Sequence, residues 1–158
     1  MIEAAAKGGL SGLLATVPMT AAMKLMHRRL PWYERQDLPP RQITVRIARR
    51  LGLARHPNEP QRNAATYASH FGYGTTVGSL YGLLCRQGLS ASVSTGMLYG
   101  LLVWAGSYLH LLPALGIMAP ATRHPRRRTA LMIVAHLIWG GTLGLLVQLI
   151  PPRTRSQR

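Results

Sequence analysis

Acidic side chains are scarce in this chain of 158 residues, which has four of them against 19 Lys and Arg and a formal net charge of +15. The acids are Glu3, Glu34, Asp37 and Glu59. None lies in a long apolar run, so a proton-coupled transporter would have to use histidine instead of a membrane carboxylate. A nucleophile-base-acid set, a phosphate loop and a carboxylate pair are also missing, so we expect no enzyme and no catalytic residues.

Cysteine is nearly absent too, because Cys85 is the only one. A single cysteine excludes an intrachain disulfide and a cysteine-based zinc motif. It lies where an apolar run gives way to Arg86, which favours a small apolar side chain near an interface.

The abundant positive charge raises the question of nucleic acid, the usual partner of a small basic domain. The arginines, however, avoid the apolar runs and crowd the segments between them, which is typical of a multi-pass membrane protein. RNA-binding sheet motifs, zinc-finger spacing and helix-turn-helix patterns are all missing. We therefore predict the lipid bilayer as partner and no nucleic acid.

Four apolar runs are each about long enough to cross a bilayer. They cover residues 8–26, 64–85, 91–112 and 129–150. We predict an all-α protein with a single domain over residues 1–158, built as a four-helix transmembrane bundle. The tight turn Arg86-Gln87-Gly88 makes the second and third spans antiparallel neighbours.

The long connector between the first two spans contains an amphipathic helix, predicted over residues 39–52. Its apolar face carries Ile43, Ile47, Ala48 and Leu51, and its basic face carries Arg41, Arg46, Arg49 and Arg50. Such a helix can lie on the membrane with its arginines on anionic lipid headgroups. It can equally dock on the protein's own spans, because amphipathicity does not identify the apolar partner.

The positive charges are divided unequally between the two sides of the predicted bundle. The connector from Arg28 to Arg62 contains nine arginines, and the connector before the fourth span ends in Arg126-Arg127-Arg128. The positive-inside rule places both connectors in the cytoplasm and both termini outside.

One motif occurs twice, in residues 70–78 and 136–144: His, two residues, an aromatic, Gly, three residues and Gly. Residues four apart share one helix face, so the glycines form stripes suited to close helix packing. The predicted packing glycines are Gly74, Gly78, Gly82, Gly96, Gly100, Gly140 and Gly144. A weaker match between residues 8–14 and 96–102 suggests two duplicated hairpins of the same orientation.

The histidines form a candidate titratable layer on one membrane side: His27, His70, His110 and His136, with His56 and His124 in the connectors. Three interpretations remain open. The rings hydrogen-bond between helices, they sense pH or pass protons, or two of them bind a metal or a b-type haem for redox chemistry. The neighbouring glycines indicate close helix contact, which argues against haem, and we expect no cofactor and no metal.

Several stretches resemble small uncharacterised bacterial inner-membrane proteins of the YagU-like type. They are residues 38–43, 70–84, 104–108, 113–116 and 135–140. The resemblance implies a four-span protein of the bacterial inner membrane, linked to envelope or acid stress, and it supplies no active site. The leading expectation is a non-enzymatic structural or stress-related membrane protein, and the alternative is a histidine-dependent transporter or pH sensor. A homo-oligomer or a membrane partner is left open.

Overall fold

Helices form the regular structure of the computed structural model, whose described residues are 1–52 and 58–150 and include no strand. In chain order they are α1 (Ile2–Arg28), α2 (Pro39–Arg50), α3 (Glu59–Arg86), α4 (Val93–Ala105), α5 (Leu112–Ala114) and α6 (Arg126–Leu149). A π-helical stretch, Gly106–Leu111, continues α4 into α5. Short 3₁₀ turns lie at Trp32–Glu34 and Ala121–Arg123. The all-α prediction is therefore confirmed. Residues 53–57, which include His56, and residues 151–158 lie outside the described residues.

The helix ends follow local sequence signals. Asn58 caps α3 in a capping box with Gln61, and Ser92 caps α4 in the same way with Thr95. These reciprocal bonds satisfy backbone N–H groups that lack a partner within the helix. Helix α2 begins at Pro39 and Pro40 and ends at Arg50, and Gly52 just beyond it has φ +66°.

Three helical stretches among the described residues are long and apolar enough to cross a membrane: α1, the continuous stretch Val93–Ala114, and α6. Helix α3 has 28 residues, but its first half is polar and it does not meet the same criterion. The membrane character predicted from the sequence is thus supported by three helices. Crossing by α3 stays a prediction.

Helices α1 and α3 pack with their backbones in direct contact. A Cβ at Gly8 would lie 2.8 Å from the Cα of Gly82, and a Cβ at Gly12 would lie 2.9 Å from the Cα of Gly78 and collide with the carbonyl oxygen of Gly74. Small residues allow this approach because no side chain separates the two helices. The contacts run in opposite chain directions, so the pair is antiparallel.

Helices α4 and α6 form a second antiparallel pair of the same kind. A Cβ at Gly96 would lie 2.9 Å from the Cα of Gly144, and a Cβ at Gly100 would lie 3.2 Å from the Cα of Gly140. All seven glycines singled out in the sequence therefore lie at these two contacts.

The two pairs join chiefly where α1 packs on α6. There the Trp139 indole donates a hydrogen bond to the carbonyl of Gly12, at 3.2 Å. Between α3 and α4 the contact is made by larger side chains: the Tyr99 hydroxyl donates to the Val77 carbonyl at 2.8 Å, and Tyr81 and Thr95 share a hydrogen bond of 3.0 Å. The four long helices therefore enclose a common core.

The outer surface of these helices is apolar. Leucines on every one of them are about half exposed, among them Leu10, Leu80, Leu102 and Leu145. The fully buried side chains are few and include Tyr81, Met23 and Leu143. An apolar exterior around a small closed core is typical of helices that face lipid, because lipid tails are as apolar as leucine.

Helix α2 lies across the end of the bundle and packs on α3. The Arg46 guanidinium donates to the Ile117 carbonyl, and Arg50 donates to the carbonyls of Leu115 and Gly116. Thr44 and Ser69 join the two helices through a hydrogen bond of 2.6 Å. Helix α2 therefore contacts the protein itself through these bonds, and contact of its basic face with lipid stays a prediction.

Candidate polar site within the bundle

His136 lies deep between the helices, with only 5% of its surface exposed. Its Nδ1–H donates to the carbonyl of Met132 at 2.7 Å, which leaves Nε2 as the free ring nitrogen. The Tyr108 ring packs edge-on against the imidazole, with centroids 5.8 Å apart. The buried ring is thus fixed in one orientation by a backbone bond and an aromatic contact.

His70 occupies the corresponding position on α3, but its ring is held differently. Its Nε2 is buried and has no hydrogen-bond partner among the described residues, and Phe71 packs edge-on against the ring. His70 and His136 lie within electrostatic reach of each other, so a charge on one ring would oppose a charge on the other. The sequence repeat therefore brings its two histidines into one region of the bundle.

Hydroxyl groups extend this polar region. One turn beyond His70, the Tyr73 hydroxyl shares a hydrogen bond of 2.9 Å with Ser107. Ser107 and Tyr108 belong to the π-helical stretch Gly106–Leu111 and are both buried. The wider π turn directs these two consecutive residues inward, and such turns occur often at functional sites. We call His70, Tyr73, Ser107, Tyr108 and His136 the polar site.

The other two histidines of the predicted layer lie elsewhere. The His27 Nε2 donates to the Gln36 carbonyl at 2.9 Å, so this ring ties the end of α1 to the following connector. His110 is exposed on the outside of the π-helical stretch. The structure brings together two of the four predicted histidines.

Metal ligation was one interpretation of the histidines. Across residues 1–52 and 58–150, no three His, Cys, Asp or Glu side chains lie together as metal ligands would. The chemistry that the polar site offers is proton exchange and hydrogen bonding by two imidazoles and two phenols, since these groups can donate and accept.

Sequence reasoning did not find Ser107, Tyr108 or the tyrosine contacts between α3 and α4. The Tyr99 ring lies between Tyr81 and Trp139, with centroid distances of 5.1 and 6.2 Å. A signal was present for Tyr108, which follows Gly106 and Ser107 in an otherwise apolar run.

The arginines predicted to bind lipid headgroups have distinct surroundings. Arg41 makes two hydrogen bonds to Glu59, at 2.8 and 3.1 Å, and an ion pair with Asp37 at 3.3 Å. Arg46 and Arg50 reach backbone carbonyls, as described above. Arg49 is exposed and has no partner among the described residues. Binding of lipid headgroups by these side chains stays a prediction.

Together these features define an all-helical protein, in the part of the chain that the structure describes, with three helices long and apolar enough to cross a membrane and a small polar site in its core. Residues 29–145 match the family model described as a protein of unknown function (DUF1440), and the chain belongs to this family. The match includes the whole polar site and leaves all of α1 outside. No curated protein and no solved structure matches the chain.

Proposed function

We propose that this chain is a non-enzymatic component of the bacterial inner membrane, with α1, α3, α4 and α6 all crossing the bilayer and a structural role in the envelope. The observation that carries the proposal is the pair of glycine contacts: two antiparallel helix pairs meet backbone to backbone around a filled core, with leucines facing outward. Such close packing suits a rigid structural protein better than a transporter, which needs a path for its substrate between the helices. A link to acid stress rests on the resemblance to YagU-like proteins.

Crossing by α3 is supported by the way its polar side chains are satisfied. The hydroxyls of Thr75, Thr76 and Ser79 donate to carbonyls one turn back on the same helix, at 2.9, 3.0 and 3.1 Å. A hydroxyl bonded in this way adds little cost in lipid, because its proton already has an acceptor. The most polar part of α3, from Glu59 to Asn63, lies before the predicted span of residues 64–85 and contacts Arg41 of α2.

The orientation has a direct test in cysteine labelling. In a Cys85→Ser background, Gln87→Cys places a thiol at the exposed turn after α3, and Arg127→Cys places one at the exposed start of α6. A membrane-impermeant maleimide added to spheroplasts should label only the Gln87→Cys variant, because the connectors are proposed to lie in the cytoplasm. Labelling of Arg127→Cys alone would contradict the proposed orientation, and equal labelling of both in intact spheroplasts would contradict crossing by the stretch between them, Val93–Ala114.

A second candidate is a histidine-dependent pH sensor. It is favoured by the Nε2 of His70, which lies near His136 and has no hydrogen-bond partner in the part of the chain that the structure describes. Protonation would place charge in an apolar interior, where two like charges repel strongly. Acid would then loosen the contact between the helix pairs.

Replacing His70 and His136 by Gln, singly and together, separates the two functions. A structural role predicts lower folded yield in detergent at every pH. Sensing predicts normal yield at neutral pH and loss of any acid-dependent change in protease resistance or cell survival. An unchanged acid response in the double variant would exclude sensing by this pair.

A further inference from the structure

An open cleft of about 410 Å³ lies at the charge-rich end of the molecule, between the segment before α2, α2 itself and the start of α3. Four arginines line it: Arg41, Arg46, Arg49 and Arg62. Its volume is in the range of pockets that hold small ligands. The cleft is separate from the polar site, which lies inside the bundle.

The walls of the cleft are held in place by contacts that do not need a ligand. Arg46 and Arg50 tie α2 to the loop of residues 115–117, and the bond between Thr44 and Ser69 ties α2 to α3. The Arg41 Nη2 donates to both carboxylate oxygens of Glu59 and so joins α2 to the start of α3. The arginines therefore project from a fixed framework, which lowers the entropy lost when a ligand binds.

Positive charge remains in excess after the acids are counted. Asp37 lines the cleft and Glu59 borders it, and both pair with Arg41, while Glu59 also reaches Arg62 at 3.2 Å. Two carboxylates thus face four guanidinium groups. Arg49 has no partner among the described residues, and Arg46 donates to one backbone carbonyl.

Arg62 supplies the observation that points to a ligand. Its Nε–H is buried and has no hydrogen-bond acceptor among the described residues. A buried donor without an acceptor is costly, and one on a charged group more so. An anion in the cleft would satisfy this donor after a rotation of the Arg62 side chain, which is 34% exposed, and would also accept from free N–H groups of Arg46 and Arg49.

We propose that this cleft is a binding site for a phosphate group, which either the headgroup of an anionic lipid or a soluble phosphate compound can supply. Guanidinium forks bind phosphate oxygens through paired hydrogen bonds, and several converging arginines are typical of such sites. The inference differs from general attraction of a basic face to the membrane, because it assigns one stoichiometric site, includes Arg62 and excludes Arg50. Only the lipid source rests on the proposed membrane placement.

The test uses the full chain in two settings. In uncharged detergent, inorganic pyrophosphate is titrated by calorimetry. In nanodiscs of phosphatidylcholine with added phosphatidylglycerol, native mass spectrometry after release counts retained anionic lipids. Saturable 1:1 binding in the first setting supports a soluble phosphate, and one retained phosphatidylglycerol in the second supports a headgroup. No saturable binding in either setting overturns the proposal.

Matched variants show whether binding occurs in the cleft. Arg49→Gln and Arg62→Gln should each weaken binding roughly tenfold, the loss expected for one charged hydrogen bond. Arg127→Gln removes the same charge from an exposed position at the start of α6 and should change the affinity less than about twofold. Equal weakening in all three would show attraction by net charge alone and overturn the site. Arg49→Gln keeps the test valid even if Arg62→Gln impairs folding, because the Arg49 side chain makes no hydrogen bond or ion pair among the described residues.

Discussion

The two glycine-lined helix pairs look like copies of each other, but they meet in different registers. The repeated motifs align Gly74 with Gly140 and Gly12 with Gly100. In the structure a Cβ at Gly12 would strike the carbonyl of Gly74, whereas the residue facing the carbonyl of Gly140 is Gly96. The second contact is therefore displaced by one helical turn, about 6 Å along the axis.

This displacement shows what a stripe of small residues specifies. Glycines that recur every fourth residue offer the same flat surface after each turn, so a partner helix can shift by one turn and still meet glycine. The motif encodes the kind of contact and its closeness. The register depends on what else lies along the pair, and here the polar side chains and the ends differ.

The polar side chains of the two pairs differ in how fully they are bonded. His136 in the second pair donates to Met132 and packs on Tyr108. His70 in the first pair has a buried nitrogen that finds no partner within residues 1–52 and 58–150. The histidine of the second pair is thus the better hydrogen-bonded of the two. The histidine of the first pair has a ring nitrogen available to respond to a change in pH.

The largest expected effect comes from alanine at the glycine contacts. Gly12→Ala and Gly96→Ala should each lower the free energy of unfolding by about 1 to 3 kcal/mol or more, because the new methyl group meets backbone that cannot move aside. Thermal unfolding in detergent measures both. Similar losses of stability would show that the two helix contacts contribute equally despite their different registers. A loss in only one variant would show that only that contact stabilises the fold.

Gly72→Ala is the matched control for these variants. A Cβ at Gly72 would meet nothing within 4 Å, although the residue lies on α3 between His70 and Gly74. Alanine favours a helix over glycine by up to about 1 kcal/mol, so this variant should be neutral or more stable. A large loss at Gly72 would mean that the method does not report helix contact.

Much of this architecture could be predicted from the sequence, and the limits have physical causes. Glycines at every fourth residue identify closely packed helices, because residues four apart share one helix face. Arginines confined to the segments between apolar runs identify where those helices end. The inward turn of Ser107 and Tyr108 could not be predicted, because a π-helical stretch changes which residues share a face. The sequence does not predict where α2 docks, because its arginines bond to backbone carbonyls in residues 115–117, a loop that is distant in the chain.

The next largest effect should separate the two histidines. His136→Gln removes the ring that packs on Tyr108 and disturbs a buried bond, so we expect a loss of about 1 to 3 kcal/mol. His70→Gln should cost less, because no bond at Nε2 is lost and a flexible amide has more freedom to find an acceptor. Chemical unfolding at neutral pH gives both values, and a greater loss at His70 would contradict the ranking of the two pairs.

A smaller effect is expected where aromatic side chains join the pairs. Tyr99→Phe removes the donor to the Val77 carbonyl and keeps the ring between Tyr81 and Trp139. Hydrogen bonds between membrane helices average about 0.6 kcal/mol, so the loss should be of that size. Tyr33→Phe is the control, since Tyr33 is 63% exposed and should show no change. A loss well above 2 kcal/mol would make this bond a major link between the pairs.

The smallest effect concerns the charge-rich ends, where the two pairs are anchored by different chemistry. The start of α3 is held by the ion pair of Glu59 with Arg41, whereas Arg128 near the start of α6 donates to two neutral oxygens, Gln36 Oε1 at 2.9 Å and the Asp37 carbonyl at 3.1 Å. The hydrogen bond from Arg41 lowers the pKa of the Glu59 carboxyl below its ordinary value of 4.5. A lowered pKa in the folded state means that the stabilisation is complete above the unfolded value and is lost as the pH falls through the folded one.

Acid should therefore loosen one anchor and spare the other. Below about pH 4.5, hydrogen exchange should rise at the start of α3 and stay unchanged at the start of α6, because neutral acceptors do not titrate in this range. Glu59→Gln should remove the pH dependence and give α3 the faster exchange at every pH. Since Glu59 is exposed, solvent screening keeps the effect small. A parallel rise at both helix starts would instead locate the acid response in the shared core, at His70 and His136.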